Sequence, residues 1–212
     1  MRSYGQYCAL AKALDVIGDR WTLLIVRELL LRGACRYTDL RDGLPGIATN
    51  LLADRLRALE RAGVVRREDA PPPVATTLVR LTPRGEDLEP ILQQLGRWGG
   101  PLLAQPARKD VFRTHWLALP ARHCLRDQKP KRAPVTIEVR TDAGGEPLTI
   151  QAVGGALRMR TGAAEKPDAV LSGTPPLVVG LLTGKLSIAD ARAAGLRYDG
   201  SPAALRRLQP RA

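Results

Sequence analysis

The segment from Tyr37 to Leu81 constrains the fold of this chain most strongly, because its pattern predicts two helices around a tight turn and then a two-stranded hairpin. Pro45 and Gly46 mark the turn, which follows a short helix that ends near Gly43. Leucines occupy one side of the second helix, and polar or basic residues occupy the other. This order is typical of a winged helix-turn-helix domain that offers one helix to the DNA major groove.

The second helix of this pair, from Thr49 to Ala62, is the predicted reading helix. A 3.6-residue period turns Leu52, Leu56 and Leu59 inward. The residues expected to contact double-stranded DNA lie on its outer face and on the hairpin: Thr49, Asn50, Ala53, Asp54, Arg57, Arg61, Arg66 and Arg67. Asparagine suits a bidentate contact to adenine, and arginine suits phosphate. The alternative is a plain helical bundle with a hairpin and a solvated, charged face.

Two side chains near this helix have open assignments. Arg55 lies at the boundary of the outer face, where it either contacts DNA or pairs with an acid inside the domain. Arg80, on the returning strand of the hairpin, is a weaker candidate for a DNA contact than Arg66 or Arg67.

The charge balance favours a polyanionic partner, either nucleic acid or an anionic membrane surface. The 212 residues include 33 basic and 21 acidic side chains, for a net charge of +12. Residues 1–108 carry 16 basic and 12 acidic groups, whereas residues 109–212 carry 17 and 9. The larger excess therefore lies outside the predicted DNA-binding half. Basic composition is also compatible with solubility alone.

Helical and strand-like patterns divide the chain into two halves of different class. The first half is predicted to contain these helices and strands: Cys8–Ile17, Trp21–Leu31, Tyr37–Gly43, Thr49–Ala62, Val64–Glu68, Thr76–Leu81 and a long helix from Pro83 to about Leu103. The loop Ala70–Val74 is stiffened by three prolines, and residues 101–109 are the predicted linker. The apolar face of the long helix, which includes Trp98, is either core or a dimer surface.

The second half is predicted to be a small α+β domain. Its pattern begins with an amphipathic helix over Val111–Leu125, interrupted near Pro120, and a basic stretch from Arg122 to Arg132. It continues with these strands and helices: Val135–Arg140, Leu148–Val153, Ala156–Thr161, Ala169–Ser172, Pro175–Leu182, Ile188–Ala194, Leu196–Tyr198 and Pro202–Leu208. The pairs Gly144-Gly145 and Gly154-Gly155 are predicted to form hairpin turns.

Neither half shows a catalytic or metal-binding pattern, so we predict no enzyme activity, no cofactor and no metal. The three cysteines are too widely spaced for a disulfide framework. No segment is apolar enough to act as a signal or a membrane span, which predicts a soluble cytoplasmic protein with no membrane insertion.

Residues 8–99 resemble the HxlR family of bacterial winged-helix regulators, relatives of the MarR type. The resemblance is carried by the runs Cys8–Leu29, Leu44–Ile47, Leu52–Val65 and Leu81–Gly85. It implies dimerisation through the first and last helices of the domain and binding to a pseudo-palindromic operator. We predict a regulator that acts as a repressor. Ala48, Asn50 and Ala53 depart from the residues common in the family, so the operator of a relative does not carry over.

Cys8 has two interpretations. The resemblance implies a redox or electrophile sensor at this position, and the start of a helix would favour its thiolate. The alternative is a small buried hydrophobic residue at the dimer seam.

Residues 135–208 are similar to sterol carrier protein-type lipid-binding domains, on the run Pro167–Ala191 and on Gly200–Leu205. The similarity implies a pocket for an apolar small molecule or lipid effector, lined by Leu177, Val178, Leu181, Leu182, Leu186 and Ile188. The same side chains would otherwise fill a core, and the domain would be a scaffold. A further alternative is a lipid-binding module whose first half serves association only. The predicted boundaries are 1–105 for the winged-helix domain, 106–134 for a helical, basic connector and 135–212 for the second domain.

Overall fold

The fold is described from a computed structural model, which covers residues 3–71, 75–104 and 109–210. The chain divides into two compact units, Met1–Ala104 and Gln105–Ala212, here called the first and second unit. Within the described residues, no helix combines the length and apolar character needed to cross a membrane. The middle of the predicted linker, 105–108, and residues 72–74 of the predicted proline loop lie outside the described residues.

The first unit combines six helices with a small antiparallel sheet in its described residues. The elements are α1 (Ala9–Ile17), α2 (Thr22–Arg32), β1 (Cys35–Arg36), α3 (Tyr37–Gly43), α4 (Thr49–Arg61), β2 (Val65–Ala70), β3 (Thr76–Leu81), α5 (Pro83–Glu86) and α6 (Glu89–Gly99), followed by a 3-10 turn (Gly100–Ala104). The sheet has the order β1-β3-β2, and the β2–β3 hairpin is the wing. The winged helix-turn-helix prediction is confirmed for this unit, while the short strand β1 was not predicted.

The core of the first unit forms around α2 and α4. Ile25 of α2 and Leu40 of α3 are fully buried, as are the three leucines that the helical period turned inward on α4, Leu52, Leu56 and Leu59. Burial of one leucine stripe leaves the opposite side of α4 in solvent.

The long helix predicted from Pro83 is wrong, because the chain breaks it twice. The first turn, α5, is capped by the Thr82 hydroxyl, which accepts a hydrogen bond from the Gly85 N–H at 3.2 Å. Pro90 then lies in the first turn of α6, where its missing N–H is tolerated. Pro101 follows the end of α6, so the chain continues as a 3-10 turn.

The second unit is a mixed sheet with short helices. Its elements are a 3-10 turn (Thr114–Leu117), α7 (Ala118–Cys124), β4 (Leu125–Asp127), β5 (Val135–Thr141), β6 (Leu148–Val153), β7 (Ala156–Thr161), β8 (Ala169–Gly173), α8 (Pro175–Leu182), α9 (Ile188–Ala193), β9 (Arg197–Gly200), α10 (Pro202–Arg207) and β10 (Leu208–Pro210). The five-stranded sheet has the order β7-β6-β5-β8-β9, in which only β5 and β8 run parallel. The glycine pairs form the two predicted hairpin turns, with positive φ at all four residues.

The start of the second unit differs from its prediction. The helix expected over Val111–Leu125, with an interruption near Pro120, is wrong in its bounds and in the place of the break. A 3-10 turn precedes α7, Pro120 lies inside α7, and the chain then enters β4. β4 pairs with β10, a strand that the sequence did not reveal, in a separate two-stranded ladder. Residues 114–127, which were assigned to a connector, therefore lie within the second unit.

The two faces of the five-stranded sheet differ in chemistry. Successive residues of a strand point to opposite faces, so Ile137, Ile150 and Leu171 share one face and are almost fully buried. Glu138 and Thr149 point to the other face and are also buried. The sheet thus has an apolar side and a polar side.

Candidate nucleic-acid interface

A buried carboxylate supports the end of α3. Glu28 of α2 has no exposed surface, and its carboxylate lies 2.8 Å from Arg27 Nη2 and 3.3 Å from Arg32 Nε. The same carboxylate occupies the space that a side chain at Gly43 would need. Glycine is therefore required at Gly43 for close approach to Glu28. The sequence analysis missed Glu28, because a single acid inside an apolar helix gives no sign of its partners.

The turn between α3 and α4 is fixed by two buried side chains and one glycine. Leu44 and Ile47 are 2% and 8% exposed, and the Ile47 N–H donates to the Leu44 carbonyl at 3.1 Å. Gly46 between them has φ +87°, in the left-handed region that favours glycine. The Tyr37 hydroxyl also donates to the Thr49 carbonyl at 2.5 Å. These contacts fix the start of α4 relative to α3.

The solvent side of α4 carries most of the residues predicted to contact DNA. Thr49, Asn50, Asp54, Arg57 and Arg61 are exposed, while Ala53 is half-buried. The Asn50 side-chain oxygen accepts a hydrogen bond from the Leu51 N–H at 2.9 Å, and its amide NH₂ group donates to no group among the described residues. The N-terminal residues of α4 are thus presented to solvent, as a reading helix requires.

Two arginines of α4 are held by acids. Arg57 Nη2 lies 2.8 Å from Asp54 Oδ1, and both side chains are about 60% exposed. Arg55 Nη1 lies 2.5 Å from Asp19 Oδ2 in the segment between α1 and α2. The structure thus selects the intradomain alternative for Arg55. Arg57 stays at the surface, where a phosphate group can replace Asp54 as its ion-pair partner.

The wing arginines point in different directions. Arg66 and Arg80 are direct partners across the hairpin, and Glu68 Oε2 lies 3.7 Å from Arg66 Nη2 and 3.2 Å from Arg80 Nε. Arg67 points the other way and lies 3.3 Å from Glu60 Oε2 on α4. Arg80 therefore shares a face with Arg66, whereas Arg67 braces the wing against the helix.

The outer surfaces of α1, α6 and the segments next to them are apolar and exposed. On α6 only Leu92 is buried, and Trp98 is 77% exposed. The exposed large apolar side chains of these segments are Tyr4, Tyr7, Leu10, Leu14, Ile91, Leu95, Trp98, Leu102 and Leu103, here called the apolar face of the first unit. The sequence left two alternatives for the surface around Trp98, the core of the unit or a dimer surface. The exposure of Trp98 rules out the core.

Cys8 and Cys35 have opposite environments. Cys8 is exposed just before α1, where the backbone N–H of Ala11 and then that of Leu10 lower the pKa of its thiol. Cys35 is buried in β1, and burial raises the pKa of its thiol to about 12. A low pKa and exposure favour the reactive thiolate at Cys8 only.

The six residues predicted to line an apolar pocket lie around α8 and the turn after it. Val178, Leu181 and Leu182 are buried, and Leu177, Leu186 and Ile188 are half-buried. Leu186 lies so close to Gly180 that a side chain there would clash. Two cavities of about 380 Å³ in the second unit are lined by other residues.

Comparisons with known proteins place the first half in a known group. The family model for the HxlR-like helix-turn-helix matches residues 16–106. The chain is 37% identical over 87 residues to the uncharacterized HTH-type transcriptional regulator YvaP of Bacillus subtilis. The aligned region covers 41% of this chain and 80% of YvaP. It is 34% identical over 101 residues to the uncharacterized HTH-type transcriptional regulator sll1512 of Synechocystis, which covers 48% of this chain and 74% of the relative.

Among solved structures, the reduced form of the transcriptional regulator YodB from B. subtilis matches with 28% identity and a TM-score of 0.40. This match covers 44% of this chain and 92% of YodB. The family match ends at residue 106, so it leaves the sheet of the second unit outside.

Proposed function

The chain belongs to the HxlR-like helix-turn-helix family of DNA-binding transcriptional regulators through residues 16–106, and from this premise we propose that it binds a pseudo-palindromic operator as a homodimer. The observation that carries the proposal is the exposed polar side of α4, whose leucine side is buried and whose start is fixed by the turn. A rigid helix with a free polar face fits the major groove.

The contacts divide by the chemistry of the side chains. Thr49 and Asn50 begin α4, the end of a reading helix that approaches base edges, and an asparagine amide suits adenine. Arg57 and Arg61 lie further along and serve phosphates. In the wing, Arg66 serves the DNA backbone or the adjacent minor groove, and we assign Arg67 a bracing role instead.

Dimerisation is supported by the apolar face of the first unit. Exposed aromatic and leucine side chains on α1, α6 and their flanks are costly in water and typical of an interface. One module also neutralises few phosphates, whereas a twofold pair doubles the contacts and reads two half-sites. A second copy of this chain is therefore the proposed occupant of this face.

The test is binding to duplex DNA from upstream of the gene, measured by fluorescence anisotropy at several salt concentrations. Asn50→Ala should lose about 1–3 kcal/mol of discrimination between operator and scrambled DNA. Arg57→Ala should weaken binding to both sequences and lower the salt dependence by roughly one unit of slope. Arg192→Ala, on α9 of the second unit, removes the same charge as a control. Equal binding by the wild type, Asn50→Ala and Arg57→Ala would rule out α4 as the reading helix.

A second candidate function, thiol sensing through Cys8, is favoured by its exposure and lowered pKa. In this proposal an oxidant or electrophile modifies Cys8 and changes the affinity for DNA. Diamide should weaken operator binding by the wild type but not by Cys8→Ser, while Cys124→Ser should behave as the wild type. Binding that is indifferent to diamide in all three proteins would remove this function.

The apolar effector stays a prediction. Its six residues pack as a core would, so the scaffold alternative for the second unit gains support. Mass spectrometry of a solvent extract of the natively purified protein would decide between the two, since a lipid held in an apolar pocket should co-purify with the protein.

A further inference from the structure

A cavity of about 380 Å³ lies on the polar side of the five-stranded sheet in the second unit. Its lining includes three cations, Arg158, Arg160 and Lys166. Thr136 and Gln151 add neutral hydrogen-bonding groups from the central strands. The cavity is distinct from the α8 region, where the sequence predicted an apolar pocket.

The register of the strands brings these side chains to one place. Gln151 pairs with Arg158 on one side and with Thr136 on the other, so the three form a row across β7, β6 and β5. Arg160 and Thr149 form the next row on the same face. The cavity floor is therefore built on regular strands, which hold side chains more rigidly than loops do.

The segment 162–168, which connects β7 to β8, forms the rim of the cavity. The Thr149 hydroxyl donates to the Gly162 carbonyl at 2.7 Å, and the Ala164 N–H donates to Glu138 Oε2 at 2.8 Å. These two bonds hold the segment against β6 and β5, the central strands on this side of the sheet. Lys166, further along the segment, lines the cavity. The site is thus an open concavity whose three basic side chains remain exposed to solvent.

The charges of the cavity are not neutralised from within. Glu138, the nearest buried acid, is bound by Arg140 Nε at 2.6 Å and by the Ala164 N–H. Arg158 and Lys166 make no ion pair with any of the described residues, and Arg160 donates only to the Ala163 carbonyl at 2.9 Å. Glu165 is the one carboxylate in the lining. Three cations and one anion leave a net charge of +2.

We propose that this cavity binds a small polar molecule through a phosphate or carboxylate group. Guanidinium groups bind such anions through paired hydrogen bonds, and an ammonium adds a point charge. A concave site lined by one sign of charge concentrates the opposite ion. The volume lies in the range of small-molecule sites, which favours a metabolite-sized anion over a DNA backbone. This inference goes beyond DNA recognition and assigns the second unit a ligand class opposite to the apolar one.

The experiment is calorimetric titration of the full-length protein at low salt with three probes: inorganic phosphate, succinate and neutral glycerol. We expect saturable binding of phosphate, of succinate or of both, and none of glycerol. The comparison of phosphate with succinate identifies the preferred anion. Arg158→Gln combined with Lys166→Gln should weaken that binding at least about tenfold, because charge-assisted hydrogen bonds are lost.

The matched control is Lys185→Gln combined with Arg192→Gln, which removes two exposed cations that do not line the cavity. Equal weakening by both double variants would show a net-charge effect and overturn the proposal, as would the absence of any saturable anion binding. Circular dichroism verifies that each variant is folded. Operator binding is measured separately, so failure of this site leaves the DNA-binding proposal standing. Competition by nonspecific duplex DNA for the same two cations would instead assign them to the DNA backbone.

Discussion

The two units differ in how many large apolar side chains they expose to solvent. Among the described residues, the first unit exposes ten large apolar side chains, whereas Val111 is the only one that the second unit exposes. The second unit therefore covers nearly all of its own apolar residues, while the first leaves nine of its ten exposed ones on α1, α6 and their flanks. This difference is what the proposed homodimer would explain, since a second copy would cover the apolar face of the first unit.

The ion pairs of the two units also differ in how far they are buried. In the second unit, Arg207 of α10 binds Asp127 of β4 at 2.7 and 2.8 Å, and both side chains are almost fully buried. In the first unit, the Arg57–Asp54 pair on α4 is mostly exposed. Buried pairs support structure when intact, whereas exposed pairs contribute little and exchange partners easily.

The largest expected effect comes from Leu95→Glu combined with Trp98→Glu. Charges on the apolar face of the first unit should convert a dimer into a monomer, because unpaired carboxylates cannot be buried cheaply. Operator affinity should fall about a hundredfold or more as the second half-site is lost. Analytical ultracentrifugation and anisotropy measure the two effects. Val111→Glu, which adds a carboxylate to the second unit, is the control. A dimer that persists in the double variant would show that the apolar face of the first unit is not the dimer interface.

The next effect is on stability. Asp127→Asn should lower the free energy of unfolding by about 1.5–3 kcal/mol, since Arg207 loses its charged acceptor and keeps only the carbonyls of Ala133 and Arg132. Asp54→Asn is the matched change in an exposed pair, and it should cost less than about 1 kcal/mol. Urea denaturation followed by circular dichroism measures both. Similar losses in the two variants would contradict the assigned difference in burial.

The same pair predicts a pH dependence. The hydrogen bonds from Arg207 hold the pKa of Asp127 below its ordinary value. A lowered folded-state pKa contributes stability above the ordinary value of about 3.9, and that stability is lost as the pH falls further toward the folded-state pKa. The stability difference between the wild type and Asp127→Asn should therefore be constant near neutral pH and shrink below about pH 4. A difference that grew on acidification would have the wrong sign.

The smallest effect concerns DNA affinity. Asp54→Asn releases Arg57 and removes a negative charge from the face of α4, so duplex DNA should bind more tightly, by less than about fivefold. Asp69→Asn in the wing would be a poor control, because the Asp69 carboxylate accepts a hydrogen bond from the Thr77 hydroxyl. Glu86→Gln on α5 removes an equivalent exposed charge and should leave the affinity unchanged.

Local sequence signals predicted the helix-turn-helix well because each one has a local cause. Gly46 permits the left-handed turn, and the leucine period of α4 defines the buried side. The strands β6 and β7 were predicted with their observed ends for the same reason, since paired glycines bound them.

Features that depend on distant partners could not be predicted. β10 forms only because β4 lies beside it, and three residues carry no strand period of their own. Glu28 gives no sequence signal of the two arginines and the glycine that surround it. The cation-lined cavity likewise depends on strand register and on the path of segment 162–168, which determine which exposed basic residues become neighbours.

The β4–β10 ladder has a consequence for synthesis on the ribosome. Asp127 meets Arg207 across 80 positions of sequence, so this part of the second unit cannot close until the last described strand has left the exit tunnel. The first unit has no such requirement and can fold while the second is still being translated. Nascent chains therefore display the apolar face of the first unit early, and two of them on one messenger RNA can meet before either is finished.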